Sequence, residues 1–162
     1  MSYHCELTKL SPKPALTVRS QVLTEDLSDM FENAFAALIE YLEEMGEDIA
    51  GPPFAIYHSI ETDRLDVEAG LPVTKTLPGR GDIRSSEIVI DQGVSTTHNG
   101  QYEEIEEAYI ALLEWIAQNG YEPTGITYEF YLNDPGTTPQ EELRTEVIMP
   151  VRSATGNGSE AA

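Results

Sequence analysis

A single carboxylate among aromatic residues is the feature of this sequence that most directly suggests chemistry. Glu129 lies within Tyr128-Glu129-Phe130-Tyr131, where aromatic and β-branched residues predict a strand from Gly125 to Leu132. A carboxylate half buried among rings loses hydration, which raises its pKa unless a cation or a hydrogen-bond donor compensates. A delocalised cation would relieve that cost, and each aromatic face adds roughly 0.5–2 kcal/mol through cation–π attraction. The alternative is that Glu129 faces water, and the strand alone leaves both interpretations open.

The alternation of side chains along the predicted strands indicates which residues could join Glu129. Successive side chains of a strand point to opposite faces of the sheet. We expect two apolar sets to pack against helices: Leu65, Val67 and Leu71, and Tyr128, Phe130 and Leu132. The opposite face would then carry the candidate ligand-binding residues Tyr57, Glu68, Glu129, Tyr131 and Glu146. Two further candidates, Tyr102 and Trp115, lie on the second predicted helix.

Two amphipathic helices must position these strands. Apolar residues recur at spacings of three and four across 28–45 and again across 102–117, with Gly46 and Gly120 as their C-caps. Short strands are predicted at 5–10 and 15–23, separated by Ser11-Pro12-Lys13-Pro14, and at 86–91 and 94–98. The remaining strands are predicted at 54–58, 65–73, 125–132 and 143–151.

The chain contains an internal repeat. Ala34–Tyr41 aligns with Ala108–Trp115 at an offset of 74 positions, and the same offset pairs Ala55 with Glu129, so the repeat itself does not require the acid. We expect an α+β fold of duplicated β-α-β-β units with pseudo-twofold symmetry. Its antiparallel sheet would carry helices on one face and a ligand cleft on the other. One domain is expected over 1–151, with repeat halves of about 5–74 and 83–151, followed by a disordered tail at 152–162.

The composition excludes several classes of function. The net charge of −20 and a pI near 4.2 disfavour direct contact with nucleic acid or an anionic membrane surface. The charge either keeps the surface solvated or attracts cationic ligands. The single cysteine, Cys5, cannot form an intramolecular disulfide, and the absence of a targeting segment predicts a cytoplasmic protein. His4, His58 and His98 have no metal-ligand spacing, so we expect no metal and no other cofactor.

Several short motifs together resemble the GyrI-like family, also known as the effector-binding domain of multidrug-responsive transcription regulators. They are Gly51–His58, Leu77-Pro78-Gly79, Gly100-Gln101-Tyr102, Tyr128-Glu129, Asn133-Asp134-Pro135 and Leu143–Glu146 with Pro150-Val151. The resemblance covers roughly 6–151, and Gln101 stands where the family usually has proline. It implies a duplicated β-α-β-β fold with a ligand cleft between the halves, and a glutamate at the position of Glu129 that meets lipophilic cations at the base of an aromatic pocket.

Three hypotheses about function follow. The first is a stand-alone, monomeric domain that binds lipophilic small molecules, cations among them, with Glu129 at the base of an aromatic cleft. The second is a hydrolase of cyclopropane-containing natural products, in which Glu129 is the candidate catalytic residue together with Glu68 or Glu146. The third is a protein-interaction module that inhibits a basic or DNA-binding partner. The sequence does not choose among them.

Overall fold

The computed structural model describes residues 3–60, 63–134 and 137–154, which form a mixed α+β fold. The elements of this part of the chain are β1 (Glu6–Leu23), α1 (Leu27–Met45), β2 (Phe54–Ile60), β3 (Arg64–Pro72), β4 (Arg84–Asn99), α2 (Glu106–Gln118), β5 (Tyr121–Pro123), β6 (Thr127–Tyr131) and β7 (Arg144–Ser153). No helix in the described ranges is long and apolar enough to cross a membrane.

The chain divides into two compact units. The first unit is Ser11–Val89, and the second unit is Met1–Leu10 together with Ile90–Ala162. The first unit contains most of β1, followed by α1, β2 and β3, and the second contains most of β4, followed by α2, β6 and β7, with the short β5 added. The residues of β1 before Ser11 belong to the second unit, and the residues of β4 up to Val89 belong to the first. The predicted α+β class with duplicated β-α-β-β units is therefore confirmed. The first ten residues group with the second unit, whereas the sequence repeat suggests a boundary between 74 and 83.

In the first unit, α1 packs against the strands through a continuous apolar cluster. Strand β3 pairs antiparallel with both β1 and β2, and places Leu71 opposite Leu16. These two residues meet the buried residues of α1 and of the following loop, namely Leu38, Tyr41, Leu42, Leu77 and Ile83. Helix α1 ends at Gly46 in the left-handed conformation with φ of 68°, which confirms the predicted C-cap.

In the second unit, β7 is the strand around which the others are arranged. It pairs antiparallel with β4, β5 and β6. Helix α2 contributes Ala108, Leu112 and Ile116 to a core whose strand residues are Val94, Val147, Met149 and Val151. The face of β7 that carries Val147 is therefore the face covered by α2.

Several element predictions differ from the structure, and the C-cap of α2 is Asn119 rather than the predicted Gly120. Strand β1 is continuous, because proline lacks an N–H but its φ suits extended backbone and its carbonyl remains available; the Pro14 carbonyl accepts from Val73 N at 3.0 Å. Strand β4 is also continuous and passes through Gln92 and Gly93, where a break was predicted. Residues 102–104 form a 3₁₀ turn before α2. Strand β7 continues to Ser153, beyond the predicted end at Val151. The rest of the predicted tail, 155–162, lies outside the described residues.

The apolar stripes of both helices are narrower than predicted. Ile39 of α1 is 41% exposed and Leu113 of α2 is 46% exposed, although the spacing of three and four in each helix includes them and predicts that they face the core. These residues occupy equivalent positions in the repeat. The residue two positions after Ile39, Tyr41, is buried instead, and its hydroxyl donates to the Pro78 carbonyl at 2.8 Å.

Candidate functional site

The position of Glu129 is set by the pairing of β6 with β7. Glu129 lies directly opposite Val147, and residues opposite each other in an antiparallel pair project from the same face. Because Val147 belongs to the core beneath α2, Glu129 also points toward α2. Its side chain is almost completely buried, and the residue is only 6% exposed. Strand β6 therefore delivers a carboxylate to the interior of the second unit.

Three tyrosines surround this carboxylate. The Tyr109 hydroxyl of α2 donates to Oε2 of Glu129, and the Tyr131 hydroxyl of β6 donates to Oε1 at 2.9 Å. The ring of Tyr102, in the 3₁₀ turn before α2, meets the Tyr131 ring edge-on at 5.9 Å between centroids. All three rings are partly exposed. We call Tyr102, Tyr109 and Tyr131 the tyrosine cage.

Tyr109 was not predicted to join the site, because its spacing of three and four from apolar residues of the second helix is typical of a core position. The repeat contains the signal that could have found it. Tyr109 pairs with Phe35 at the offset that pairs Glu129 with Ala55, so the hydroxyl and the carboxylate both appear only in the second half. Tyr109 and Glu129, which form a hydrogen bond with each other, thus both differ in type from their counterparts in the first half of the repeat.

Polar side chains continue beside the cage on the same face of the strands. Thr145 of β7 lies opposite both Tyr131 and His98. Its hydroxyl is fully buried and has no hydrogen-bond partner among the residues that the structure describes. Both ring nitrogens of His98 make hydrogen bonds, Nε2 donating to the Gln101 carbonyl at 2.8 Å and Nδ1 meeting the Tyr3 hydroxyl at 3.0 Å. His98 thereby anchors the residue that immediately precedes Tyr102.

Burial dominates the electrostatics of the site. Desolvation raises the pKa of Glu129 above its ordinary value, while the hydrogen bonds from Tyr109 and Tyr131 and the field of His98 act in the lowering direction. The pKa of Tyr102 is also raised, first by burial and then by the negative charges of Glu129 and Asp134. Across residues 3–60, 63–134 and 137–154, no lysine, arginine or histidine forms an ion pair with Glu129. The carboxylate is held by neutral hydroxyl donors.

The predicted assignment of faces in the second unit is wrong. Glu129 and Tyr131 lie on the face toward α2, whereas Tyr128 and Phe130 lie on the other face, opposite Ile148 and Glu146 respectively. Alternation separates the two sets correctly but does not say which set the helix covers, and the aromatic set was taken as the core. Consequently Glu146 does not share a face with Glu129, and it accepts a hydrogen bond from Ser95 at 2.8 Å.

The two candidates from the first unit also separate. Leu65, Val67 and Leu71 face α1 as predicted, but Tyr57 lies opposite Val67 and shares their face, so its predicted place beside Glu68 is wrong. Glu68 projects from the opposite face, where Oε1 lies 2.8 Å from His58 Nε2. A register shift between Tyr57 and Ser59 marks a β-bulge at His58.

Trp115 does not join the cage. It follows Tyr109 by more than one and a half turns of α2, and its indole stacks on Tyr121 of β5 at 6.3 Å with an interplanar angle of 9°. Of the predicted ligand-binding residues, the structure thus brings together Glu129, Tyr131 and Tyr102. In the described ranges, no group of three His, Cys, Asp or Glu side chains is arranged to hold a metal ion.

This chain resembles a known family in sequence and several solved proteins in fold. The sequence profile of the GyrI-like small molecule binding domain matches residues 4–152. EcmrR, solved in a complex with DNA, is 25% identical with a TM-score of 0.83 over 93% of this chain, which spans 58% of the EcmrR chain. The separate C-terminal domain of EcmrR is 24% identical with a TM-score of 0.77, covering 94% of this chain and 99% of that domain.

A more distant structure has the same fold. SAV2435, solved bound to tetraphenylphosphonium, is 11% identical with a TM-score of 0.63, covering 98% of this chain and 99% of that one. A comparison with curated protein sequences finds no significant match. Since the profile match extends over residues 4–152, the chain belongs to the GyrI-like small molecule binding domain family.

Proposed function

We propose that this domain binds lipophilic cations and that Glu129 supplies the negative charge that selects them. The observation that carries the proposal is a buried carboxylate held by two tyrosine hydroxyls, with no cationic partner among the described residues. A buried charge without a counter-charge lowers the stability of the fold, and its retention is understandable if a ligand supplies the opposite charge.

The cage explains why the ligand should be both cationic and apolar. A hydrated ion such as ammonium would lose its water on entering, whereas a delocalised cation carries little hydration to lose. Tyr102 and Tyr131 are both partly exposed, and aromatic faces attract an aromatic or alkylated cation. Within the described part of the chain, the side chains that donate to Glu129 are the hydroxyls of Tyr109 and Tyr131, which favours recognition by charge and shape over a single fixed pattern of hydrogen bonds.

Access to Glu129 requires the cage to rearrange. The carboxylate is buried while the three rings around it are partly exposed, so a ligand that reaches it must displace at least one tyrosine hydroxyl. A hydrogen bond to a charged group contributes about 1.5–3 kcal/mol, and cation binding must exceed that loss. At an effective dielectric of about 20, a cation about 5 Å from a carboxylate gains roughly 3 kcal/mol, which is sufficient when cation–π contacts are added.

A protein of the same fold gives independent support. SAV2435 is solved with tetraphenylphosphonium, a lipophilic cation, so the fold can accommodate a ligand of this class. Because SAV2435 is only 11% identical to this chain, no residue role is inferred from it, and the role of Glu129 is proposed from the geometry of this chain.

The test compares two ligands of the same shape and opposite charge. Tetraphenylphosphonium and tetraphenylborate are titrated into the protein by isothermal calorimetry at pH 7.5. We expect the cation to bind and the borate anion to bind at least tenfold more weakly. Glu129→Gln should weaken binding of the cation by about 100-fold, because a Coulomb contribution of roughly 3 kcal/mol corresponds to about two powers of ten in affinity.

The matched control is Glu146→Gln, which removes the same formal charge from the other face of the same strands. It should change the affinity for the cation by less than about threefold, because the general field of a surface charge is screened. Equal affinity for both ions, or equal losses in the two variants, would refute the proposed role of Glu129.

The hydrolase hypothesis concerns the same carboxylate, and a separate experiment distinguishes hydrolysis from binding. A raised pKa suits a general base, so Glu129 is its natural candidate. A binding domain returns its ligand unchanged, whereas a hydrolase consumes a cyclopropane-bearing compound with a dependence on Glu129. Mass spectrometry of the recovered compound distinguishes the two.

A further inference from the structure

We infer that a groove beside Trp115 is a second binding site, separate from Glu129, for a small aromatic or alkylated ammonium cation. The Trp115 groove lies along α2 and against the first residues of the chain, entirely within the second unit, and has a volume of about 440 Å³. That volume lies within the range of about 300–1,000 Å³ that is typical of small-molecule sites. None of the residues that line it belongs to the tyrosine cage.

The lining offers an apolar surface with two aromatic side chains. Trp115 and Tyr3 are both partly exposed, and Ile110 and Ala111 of α2 also line the groove. Tyr121 stacks on the indole of Trp115 and is not among the described residues that line the groove. Tryptophan is the best aromatic partner for a cation.

The charged residues that line the groove in the described part of the chain are acidic. Glu107 and Glu114 line it two turns apart on α2, about 10 Å along the helix, and both are exposed. The lining residues that the structure describes include no lysine and no arginine. The charge of Glu107 contributes to raising the pKa of Tyr3, after burial, so this carboxylate acts electrostatically on the groove itself. A chain with a net charge of −20 reinforces the preference for a cation.

These features together select a compact cation with an apolar body. An anion would face two carboxylates, and a neutral apolar compound would gain only the contact with Trp115 and Ile110. A quaternary ammonium ion carries weak hydration and needs no hydrogen-bond acceptor, so the partly exposed rings suit it better than a primary amine. This inference does not depend on the proposed role of Glu129.

The chain supplies two unique reporters for the test, since Trp115 is its only tryptophan and Cys5, which also lines the groove, its only cysteine. Phenyltrimethylammonium is titrated at pH 8 while Trp115 fluorescence and the rate of Cys5 alkylation by iodoacetamide are followed. We expect a saturable change in fluorescence and at least a twofold slowing of alkylation, with the same midpoint. Tert-butylbenzene, the uncharged isostere, should bind at least fivefold more weakly.

Variants separate the groove from the cage. The double variant Glu107→Gln/Glu114→Gln should weaken phenyltrimethylammonium about fivefold, the effect expected of two exposed ion pairs. Glu129→Gln should leave both readouts unchanged, even if it abolishes binding of tetraphenylphosphonium. No saturable response, or a response lost in Glu129→Gln and kept in the double variant, would overturn the second site.

Discussion

Replacing Glu129 by glutamine should make the protein more stable at neutral pH, even though it weakens cation binding. The side chain is buried and its pKa is raised mainly by desolvation. Glutamine has nearly the same shape, does not ionise, and can still accept a hydrogen bond from Tyr109 or Tyr131. The substitution therefore removes a buried charge without creating a cavity.

The sign of the pH dependence follows from the direction of the shift. Well below the ordinary pKa of about 4.3, the carboxyl is protonated in the folded and unfolded states and contributes no penalty. As the pH rises, the unfolded state ionises first, and wild-type stability falls by up to about 1.4 kcal/mol per pH unit until Glu129 ionises in the folded state as well. The advantage of Glu129→Gln should thus increase with pH and then become constant.

The expected change in the free energy of unfolding for Glu129→Gln reflects two opposing contributions. The effective desolvation cost of a buried ion is several kcal/mol, and two hydrogen bonds to a charged group return about 1.5–3 kcal/mol each. Since the pKa is raised, the cost exceeds the return, and we expect a net gain of about 1–2 kcal/mol for glutamine at pH 7.5. For a chain of this size, that corresponds to an increase in Tm of roughly 2–8 °C.

The assay is urea unfolding, monitored by circular dichroism, at intervals from pH 5.0 to 8.5. Lower values approach the pI of 4.2, where a protein without net charge tends to precipitate. Glu146→Gln controls for general relief of the −20 charge, because it removes an equal charge from the other face of the same strands. The reasoning fails if Glu129→Gln is no more stable than wild type at pH 7.5, if Glu146→Gln gains as much, or if the gain increases as the pH falls.

Two further changes test the geometry around the site and in the first unit. Tyr131→Phe removes a hydrogen-bond donor to Glu129, so it should raise the pKa of that carboxyl further and lower the free energy of unfolding at pH 7.5 by about 1–2 kcal/mol. In calorimetric titrations, cation binding should therefore begin at a higher pH than in the wild type. An unchanged onset would contradict this. Gly70→Ala should lower the free energy of unfolding in urea by about 1–3 kcal/mol, because the added Cβ would lie 2.5 Å from Phe54 Cζ. Gly51→Ala is the control, since its Cβ would lie 3.4 Å from the nearest atom, Pro72 Cγ. Equal losses in the two variants would show that the Phe54 ring moves aside at little cost.

The element pattern was largely predictable because it depends on local periodicity. Both helices and all the longer strands were found, and the C-cap at Gly46 lies where glycine is needed for a left-handed residue. The two prolines of Ser11–Pro14 were taken as a break, yet β1 passes through them, since extended backbone tolerates the φ of proline. The three-residue strand β5 was not predicted, because so short a segment has no recognisable period.

The candidate site was only partly predictable. Alternation along β6 places Glu129 and Tyr131 on one face from the sequence alone, and the repeat shows that the acid is not required by the fold. The sequence does not predict which face of β6 is covered by the helix. That choice is set by the register of β6 on β7, in which Glu129 lies opposite Val147, and by α2, which covers that face.

Sequence by itself thus determined the duplicated β-α-β-β architecture and singled out Glu129 as a carboxylate without a counterpart in the repeat. Only the tertiary structure decided what surrounds it: Tyr109 reaches Glu129 from α2, whereas Glu146 lies on the other face and Trp115 packs with Tyr121. The physical reason is that the period of a strand fixes which side chains share a face, while register and helix packing, which bring together residues far apart in the chain, decide which face is buried.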